Sequence, residues 1–160
     1  MNTAIDVNPQ PHRHPAHPPP VRRHNEPVIL HVTVCTRVRQ PILNTARAHD
    51  VMVAAWREAT HWRVGEYVIM PDHAHFFCAP GLLDHPPIRR WTGYWKRLVG
   101  QAEEALKSVF QEDCWDTQMR TREHYDEKLS YVRENPVRRG LATAWEVWPF
   151  RGRVFDVTWM

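Results

Sequence analysis

The sequence is poor in the features that define several protein classes. It holds three cysteines in 160 residues, Cys35, Cys78 and Cys114, far apart and odd in number. No CxxC pair occurs, which argues against a zinc ribbon and against a disulfide framework. Cys35 and Cys78 fall in apolar segments and are expected as small core residues. Long hydrophobic runs are missing too. The longest, around Val51 to Trp56, is far too short to span a bilayer. No basic-then-apolar leader opens the chain. These absences lead to the expectation of a reduced, cytoplasmic protein with no membrane partner. Internal repeats are absent, and neither sign of charge dominates, the formal net charge being +3. So mild a positive balance suits a polyanionic partner without establishing one.

What is present fits one globular domain with a core of its own. Hydrophobic residues make up 42% and charged residues 24%, an ordinary mixture for such a fold. Eight tryptophans are many for this length, and several are expected to pack. Residues 1–26 interleave His12, His14, His17 and His24 with prolines that include Pro18-Pro19-Pro20. Such a stretch has little to bury and cannot run as a helix, so a disordered arm is expected there. The catalytic or binding domain is then expected over 27–143, with a tail over 144–160 packed on it.

Val28 to Arg37 alternates Val32 and Val34 against His31 and Thr33, the period of a strand. Asn44 or Thr45 caps a helix expected to reach about His61. Two strands follow over 62–70 and 73–79, joined tightly at Pro71-Asp72 and therefore paired as an antiparallel hairpin. After Pro86-Pro87 a long helix is expected over 88–109, with Leu98, Ala102, Ala105, Leu106 and Val109 as its buried stripe. Cys114 to Arg120 has the character of a short strand, and a last helix runs from near Glu123 to a stop at Pro136. This order predicts an α+β fold, a ferredoxin-like (RRM-like) antiparallel sheet with helices packed on one face.

Three stretches carry candidate chemistry. His73-Ala74-His75 opens a strand, where residues two apart point the same way, so both imidazoles are displayed together and suit a divalent metal. A pair of plain surface histidines is the rival reading of that stretch alone. Arg89, Arg90, Trp91, Tyr94, Trp95, Lys96 and Arg97 interleave bases with aromatics, which suits phosphates plus stacked nucleobases, or else a solvated basic face on a packed helix. Tyr131 and Asn135 are four residues apart and share a helix face, where a phenol and an amide could approach the paired histidines. Packing is the alternative role for Tyr131.

Taken in order, Met70-Pro71-Asp72-His73-Ala74-His75, the basic-aromatic helix and Lys128-Leu129-Ser130-Tyr131-Val132-Arg133-Glu134-Asn135-Pro136-Val137-Arg138-Arg139-Gly140-Leu141 resemble the single-tyrosine HUH transposases, most closely the REP-associated tyrosine transposases. His73-Ala74-His75 matches the family's histidine–hydrophobic–histidine motif, and Tyr131 to Pro136 matches its tyrosine–asparagine–proline segment. Phe110-Gln111, Trp115-Asp116 and Arg120 fall where the family has a tryptophan-glutamine and an aromatic-acidic segment. The likeness covers roughly residues 28–150. Asp72, Phe110 and Arg139 depart from the common residues, and none touches the implied chemistry.

The resemblance implies a fold with the paired histidines on a central strand and the tyrosine on a C-terminal helix. It implies a metal-dependent single-stranded DNA endonuclease and strand transferase in which Tyr131 forms a 5′-phosphotyrosine bond and leaves a free 3′-OH. His73, His75 and Asn135 are then the metal ligands, and Mg2+ or Mn2+ the metal, since two imidazoles and an amide admit both. Arg89, Arg90, Trp91, Tyr94, Trp95, Lys96, Arg97, Arg120, Arg138 and Arg139 are the implied DNA contacts. Hairpin-forming repeats are the implied partner, with the chain acting as monomer or homodimer in the bacterial nucleoid. Two other classes remain open: an HUH replication or conjugation initiator, for which 160 residues leave no room for a helicase, and a nucleic-acid-binding module without catalysis.

Overall fold

The structure, a computed structural model, describes residues 15–160. Five strands form one sheet: β1 (Leu30–Cys35), β2 (Trp62–Ile69), β3 (His73–Pro80), β4 (Trp115–Gln118) and β5 (Arg151–Arg153). Their order across the sheet is β4-β1-β3-β2-β5, and every pairing is antiparallel. The first four strands and two intervening helices reproduce the ferredoxin-like arrangement; β5 extends it from the C-terminal stretch. β3 is the central strand, so the residues that begin it are enclosed by neighbours on both sides.

Helices α1 (Ala46–Glu58) and α2 (Ile88–Ala102) pack on one face. Thr45 caps α1, its side-chain oxygen accepting from the Ala48 amide at 3.0 Å, the arrangement that satisfies an otherwise orphaned first-turn donor. Between α1 and the sheet sits an aromatic core: the Trp56 ring lies 5.2 Å from Phe76 and 5.6 Å from Trp95.

The second helix differs from the sequence expectation in two ways. It ends at Ala102, and its buried face is Ile88, Trp91, Thr92, Trp95 and Val99; Ala102 and Ala105 are exposed. Tryptophans bury far more apolar area than alanines, so they take the core side of the helix. A 3-10 turn over Glu104–Leu106 then folds back on the helix, which Gly100 permits, because a Cβ there would stand 3.1 Å from Lys107 Cα.

Helix α3 (Arg122–Arg133) lies on the opposite face, where Tyr125 and Val132 join Ile29, Val68, Phe77 and Trp148 in a second apolar cluster. Pro136 does not end it. The helix breaks at Glu134, and Pro136 sits in the first turn of α4 (Asn135–Arg138), where a proline nitrogen has no bond to lose. The C-terminal stretch lies on the sheet, with Trp148 Nε1 donating to the Ile69 carbonyl at 3.0 Å.

Of the arm expected over 1–26, residues 1–14 fall outside the described residues. From Pro15 the chain runs irregularly beside β4, and Val21 and Gln118 exchange two hydrogen bonds, each 2.8 Å. Cys35, Cys78 and Cys114 are all buried. Among the described residues, no helix is long and apolar enough to cross a membrane.

Candidate metal and nucleophile site

On the face of the sheet away from α1 and α2, four polar side chains alternate with core residues. In register, Thr33 stands opposite His75 and Cys35 opposite His73, so the histidines of β3 sit beside the polar side of β1. Both imidazoles are fully buried. His73 Nδ1 donates to Asp72 Oδ1 at 2.7 Å, and Asp72 is held in turn by Arg39, whose Nε donates to Oδ2 at 3.0 Å. His75 Nδ1 is bonded to Thr33 Oγ1 at 2.9 Å and to His31 Nε2 at 3.1 Å. The Asp72 carboxylate takes the Nδ1–H of His73 as donor and so leaves its Nε2 as the lone-pair atom; His75 has the same tautomer where its Nδ1 donates to Thr33 Oγ1.

His73 Nε2 meets the side-chain amide of Asn135 at 3.3 Å. His75 Nε2 is buried with no hydrogen-bond partner among the described residues. A buried polar atom normally finds a partner, and an open nitrogen beside a second imidazole and an amide is a set of donors that could hold a cation. Burial holds His75 well below its ordinary value, helped by the neighbouring His73 and His31; burial likewise lowers His73, against the pull of Asp72. His31 is lowered to about 3 by burial and by the Lys128 and His124 charges. All three rings are therefore neutral at pH 7, the state in which imidazole binds metal.

Tyr131, near the end of α3, is half-buried. The Arg138 guanidinium lies over its ring, 3.7 Å from the centroid, and its Nη2 donates to the Tyr131 carbonyl at 2.6 Å. Lys128 Nζ lies 5.4 Å from the same centroid. The same two cations lower His75 electrostatically, after burial, His73 and His31. The break at Glu134 and the restart at Asn135 turn the amide inward while Tyr131 stays part-exposed.

The other candidates divide. Arg138 and Arg139 lie at the histidine side, each acting electrostatically on one of the two imidazoles. Arg120 is exposed just before α3. The α2 set stands on the other face of the sheet. Trp91 and Trp95 are corrected from stacking candidates to core: both are buried, and Trp91 Nε1 donates to the Ala59 carbonyl at 2.7 Å. Lys96 is held by the Gln111 and Asp113 carbonyls at 2.9 and 3.1 Å. Arg89, Arg90 and Arg97 face outward, with Tyr94 partly covered.

The sequence reasoning missed His31, Thr33, Asp72 and Lys128 as parts of the site. The alternation of His31 and Thr33 in β1 was visible, but that pattern also describes a solvent-facing edge. Among the described residues, the one group of three or more His, Cys, Asp or Glu side chains close enough to share a metal is a different one, His17, Cys114 and Asp116.

The fold and the site together define a ferredoxin-like α+β domain that carries two neutral histidines on its central strand beneath a tyrosine-bearing helix. The solved structure of a REP-associated tyrosine transposase bound to a REP hairpin has the same fold: TM-score 0.65 and 22% identity, over 86% of this chain and 93% of that one. A Deinococcus radiodurans protein described as a candidate transposase aligns at TM-score 0.47 and 19% identity, over 72% of this chain and 95% of that one. No family model and no curated protein matches the chain.

Proposed function

We propose that the chain is a metal-dependent single-stranded DNA transesterase of the REP-associated tyrosine transposase type, acting at hairpin-forming repeats. The observation that carries this reading is the unpartnered, buried Nε2 of His75 beside His73 Nε2 and the Asn135 amide. The donor set fits a divalent ion such as Mn2+ or Mg2+: two neutral imidazoles and an amide, which has an oxygen as well as the nitrogen now turned to His73. His73, His75 and Asn135 would hold it, and when bound it would supply Lewis-acid polarisation of a phosphodiester.

Tyr131 is the nucleophile of this reading. Its phenolic oxygen forms a bond to phosphorus, the bond from phosphorus to the 3′ oxygen breaks, and the departing oxygen takes up a proton as a 3′-OH. Arg138 and Lys128, stationed at the tyrosine ring, offer their charge to the phosphate oxygens as they approach. Arg139 and Arg120 extend that basic surface. The outward residues of α2, Arg89, Arg90, Tyr94 and Arg97, form a separate track across the sheet, suited to the stem of a folded hairpin. The structural neighbour is bound to a REP hairpin; for this chain, a hairpin-bearing strand would bring unpaired nucleotides to a tyrosine that a plain duplex would shield. A cytoplasmic, nucleoid-associated placement accompanies this substrate.

The test is covalent capture. Wild-type protein incubated with a hairpin-bearing oligonucleotide and Mn2+ should give a protein–DNA adduct on a denaturing gel. Tyr131→Phe should give none, with the fold unchanged. Tyr125→Phe should still give it, since Tyr125 is buried and its hydroxyl donates to the Val157 carbonyl at 3.3 Å. An adduct from Tyr131→Phe would overturn the assignment.

A further inference from the structure

A second group of donors lies at the far edge of the sheet, on the opposite face from His73 and His75. Asp116 in β4 stands opposite Val32 of β1, which shares its face with Phe76. The alternating residues His73 and His75 point the other way. Cys114 and Asp116 are two residues apart at the start of β4, and His17 reaches them from the N-terminal segment. The Cys114 side chain is buried, the Asp116 side chain is 4% exposed and that of His17 17%.

The hydrogen bonds at this cluster set the His17 ring between two carboxylates. His17 Nε2 bonds to Asp113 Oδ1 at 2.7 Å. That carboxylate oxygen also accepts from the Cys114 amide at 2.8 Å, and its partner oxygen stands 3.6 Å from Arg89 Nε. Asp113 Oδ1 thus accepts from both His17 Nε2 and the Cys114 amide. His17 Nδ1 stands in close contact with Asp116 Oδ1. Cys114 Sγ lies close by, with one donor atom from each of the three residues falling within 4.8 Å of the others. Burial opposes protonation of His17, but the Asp116 and Asp113 carboxylates overcome it and raise its pKa, so in the absence of an ion a doubly protonated ring bridges the two, while Cys114 Sγ accepts from Thr92 Oγ1 at 3.8 Å. A metal ion that takes the place of the Nδ1 proton would draw on all three donors.

We propose that His17 Nδ1, Cys114 Sγ and an Asp116 carboxylate oxygen bind a zinc-class divalent ion. The histidine–thiolate–carboxylate set matches that class better than it matches magnesium or calcium, which take oxygen. Asp113 serves as the outer partner that fixes the His17 tautomer, the usual arrangement behind a metal-ligating imidazole. A cavity of about 550 Å3 between the segment and β4, lined by Ala16, Pro18, Leu30, Asp116 and Gln118 among others, opens beside the Asp116 side of the cluster. Binding displaces the Cys114 thiol proton and, from the protonated ring, the His17 Nδ1 proton as well, so one or two protons are released to solvent for each ion taken up, depending on pH. The ion clips the N-terminal segment to β4, reinforcing the Val21–Gln118 pair and covering the exposed edge of the sheet.

The test uses the full chain, stripped with chelator and titrated with Co2+ under reducing conditions. Wild type should develop a thiolate-to-cobalt charge-transfer band together with visible ligand-field bands, and Zn2+ should bleach both. His17→Gln, a change in a part-exposed segment, should weaken cobalt affinity at least roughly tenfold. Cys114→Ser should abolish the charge-transfer band. The band should persist in His75→Ala, which separates this site from the one proposed for catalysis. Trypsin cleavage at Arg22 and Arg23 should slow when Zn2+ is added to wild type and stay unchanged in His17→Gln. Absence of the band in wild type, or protection of Arg22 and Arg23 that needs no metal and fades as pH rises, would show a proton-held clasp and overturn the proposal.

Discussion

Asp72 shows how one side chain sets the state of another. Its carboxylate takes the His73 Nδ1 proton and is itself anchored by Arg39. Burial opposes its ionisation, but His73 and Arg39 hold it well below the ordinary carboxylate range. It therefore stays an acceptor at any pH where the protein works. Asp72→Ala should leave the fold intact yet weaken Mn2+ binding about 10- to 100-fold, the usual loss when the partner of a ligating histidine is removed. Isothermal titration would read this directly. His75→Ala, which deletes a ligand outright, should remove measurable binding; unchanged affinity in both variants would remove the metal site from the account. His73 and His75 were legible in the sequence because strand alternation alone puts them side by side. Their support was not: Thr33 and His31 come from a strand about forty residues earlier, and only the antiparallel register of β1 against β3 brings them to His75.

At the scale of elements, the turn after β1 carries visible strain. Val38 is 90% exposed and adopts φ 49°, ψ 24°, and Arg39 follows at φ 54°. A β-branched residue in that region is a genuine outlier. Thr36 and Arg39 tie this turn to Asp72, Thr36 through its backbone amide at 2.9 Å. Val38→Gly relieves the strain and removes no buried contact, so it should stabilise the protein by about 1 kcal/mol, seen as a higher urea midpoint at unchanged slope. A lower midpoint would mean that the turn is not strained as described. The second helix teaches a related lesson. Its basic-aromatic composition fitted a nucleic-acid track and a packed amphipathic helix equally well. The rotation of that helix on the sheet decided for packing at Trp91 and Trp95 while leaving Arg90 and Arg97 outside. Trp95 is fully buried against Trp56, Phe76 and Phe110, so Trp95→Ala should cost about 3–5 kcal/mol in chemical denaturation.

For the whole molecule, the helix that carries Tyr131 must be fixed to the sheet that carries the histidines. Glu66 in β2 makes this joint: Arg133 at the end of α3 donates to both of its oxygens, and Arg153 of β5 reaches Oε1 at 3.0 Å. Burial pushes the Glu66 carboxyl up, but the two guanidiniums overcome this and hold it below its ordinary value. A depressed folded value means that the ionised form is stabilised by folding. That contribution is complete above about pH 4.3, the unfolded glutamate value, and is lost as pH falls through the folded one. Glu66→Gln should therefore destabilise the protein by roughly 1–3 kcal/mol at pH 7, the range for losing charged hydrogen bonds at a part-buried site. The gap between variant and wild type should close toward pH 2. A gap of equal size at both pH values would place the effect in packing and not in the ion pair.

The sequence by itself determined the α+β class, the strand-turn-strand unit around Pro71-Asp72 and the pairing of His73 with His75, whereas the shared helix face expected for Tyr131 and Asn135 is divided by the break at Glu134. The features it determined are local, because alternation along a strand and the spacing of a helix turn are fixed by backbone geometry. The tertiary structure decided what periodicity cannot encode. It put β3 at the centre of the sheet, chose tryptophans over alanines for the buried face of α2, and laid α3 across the histidine face. It carried His17 across the chain to Cys114 and Asp116. Each of these depends on which surfaces meet, and contacts between residues tens of positions apart are settled by burial and register, neither of which a single stretch of sequence contains.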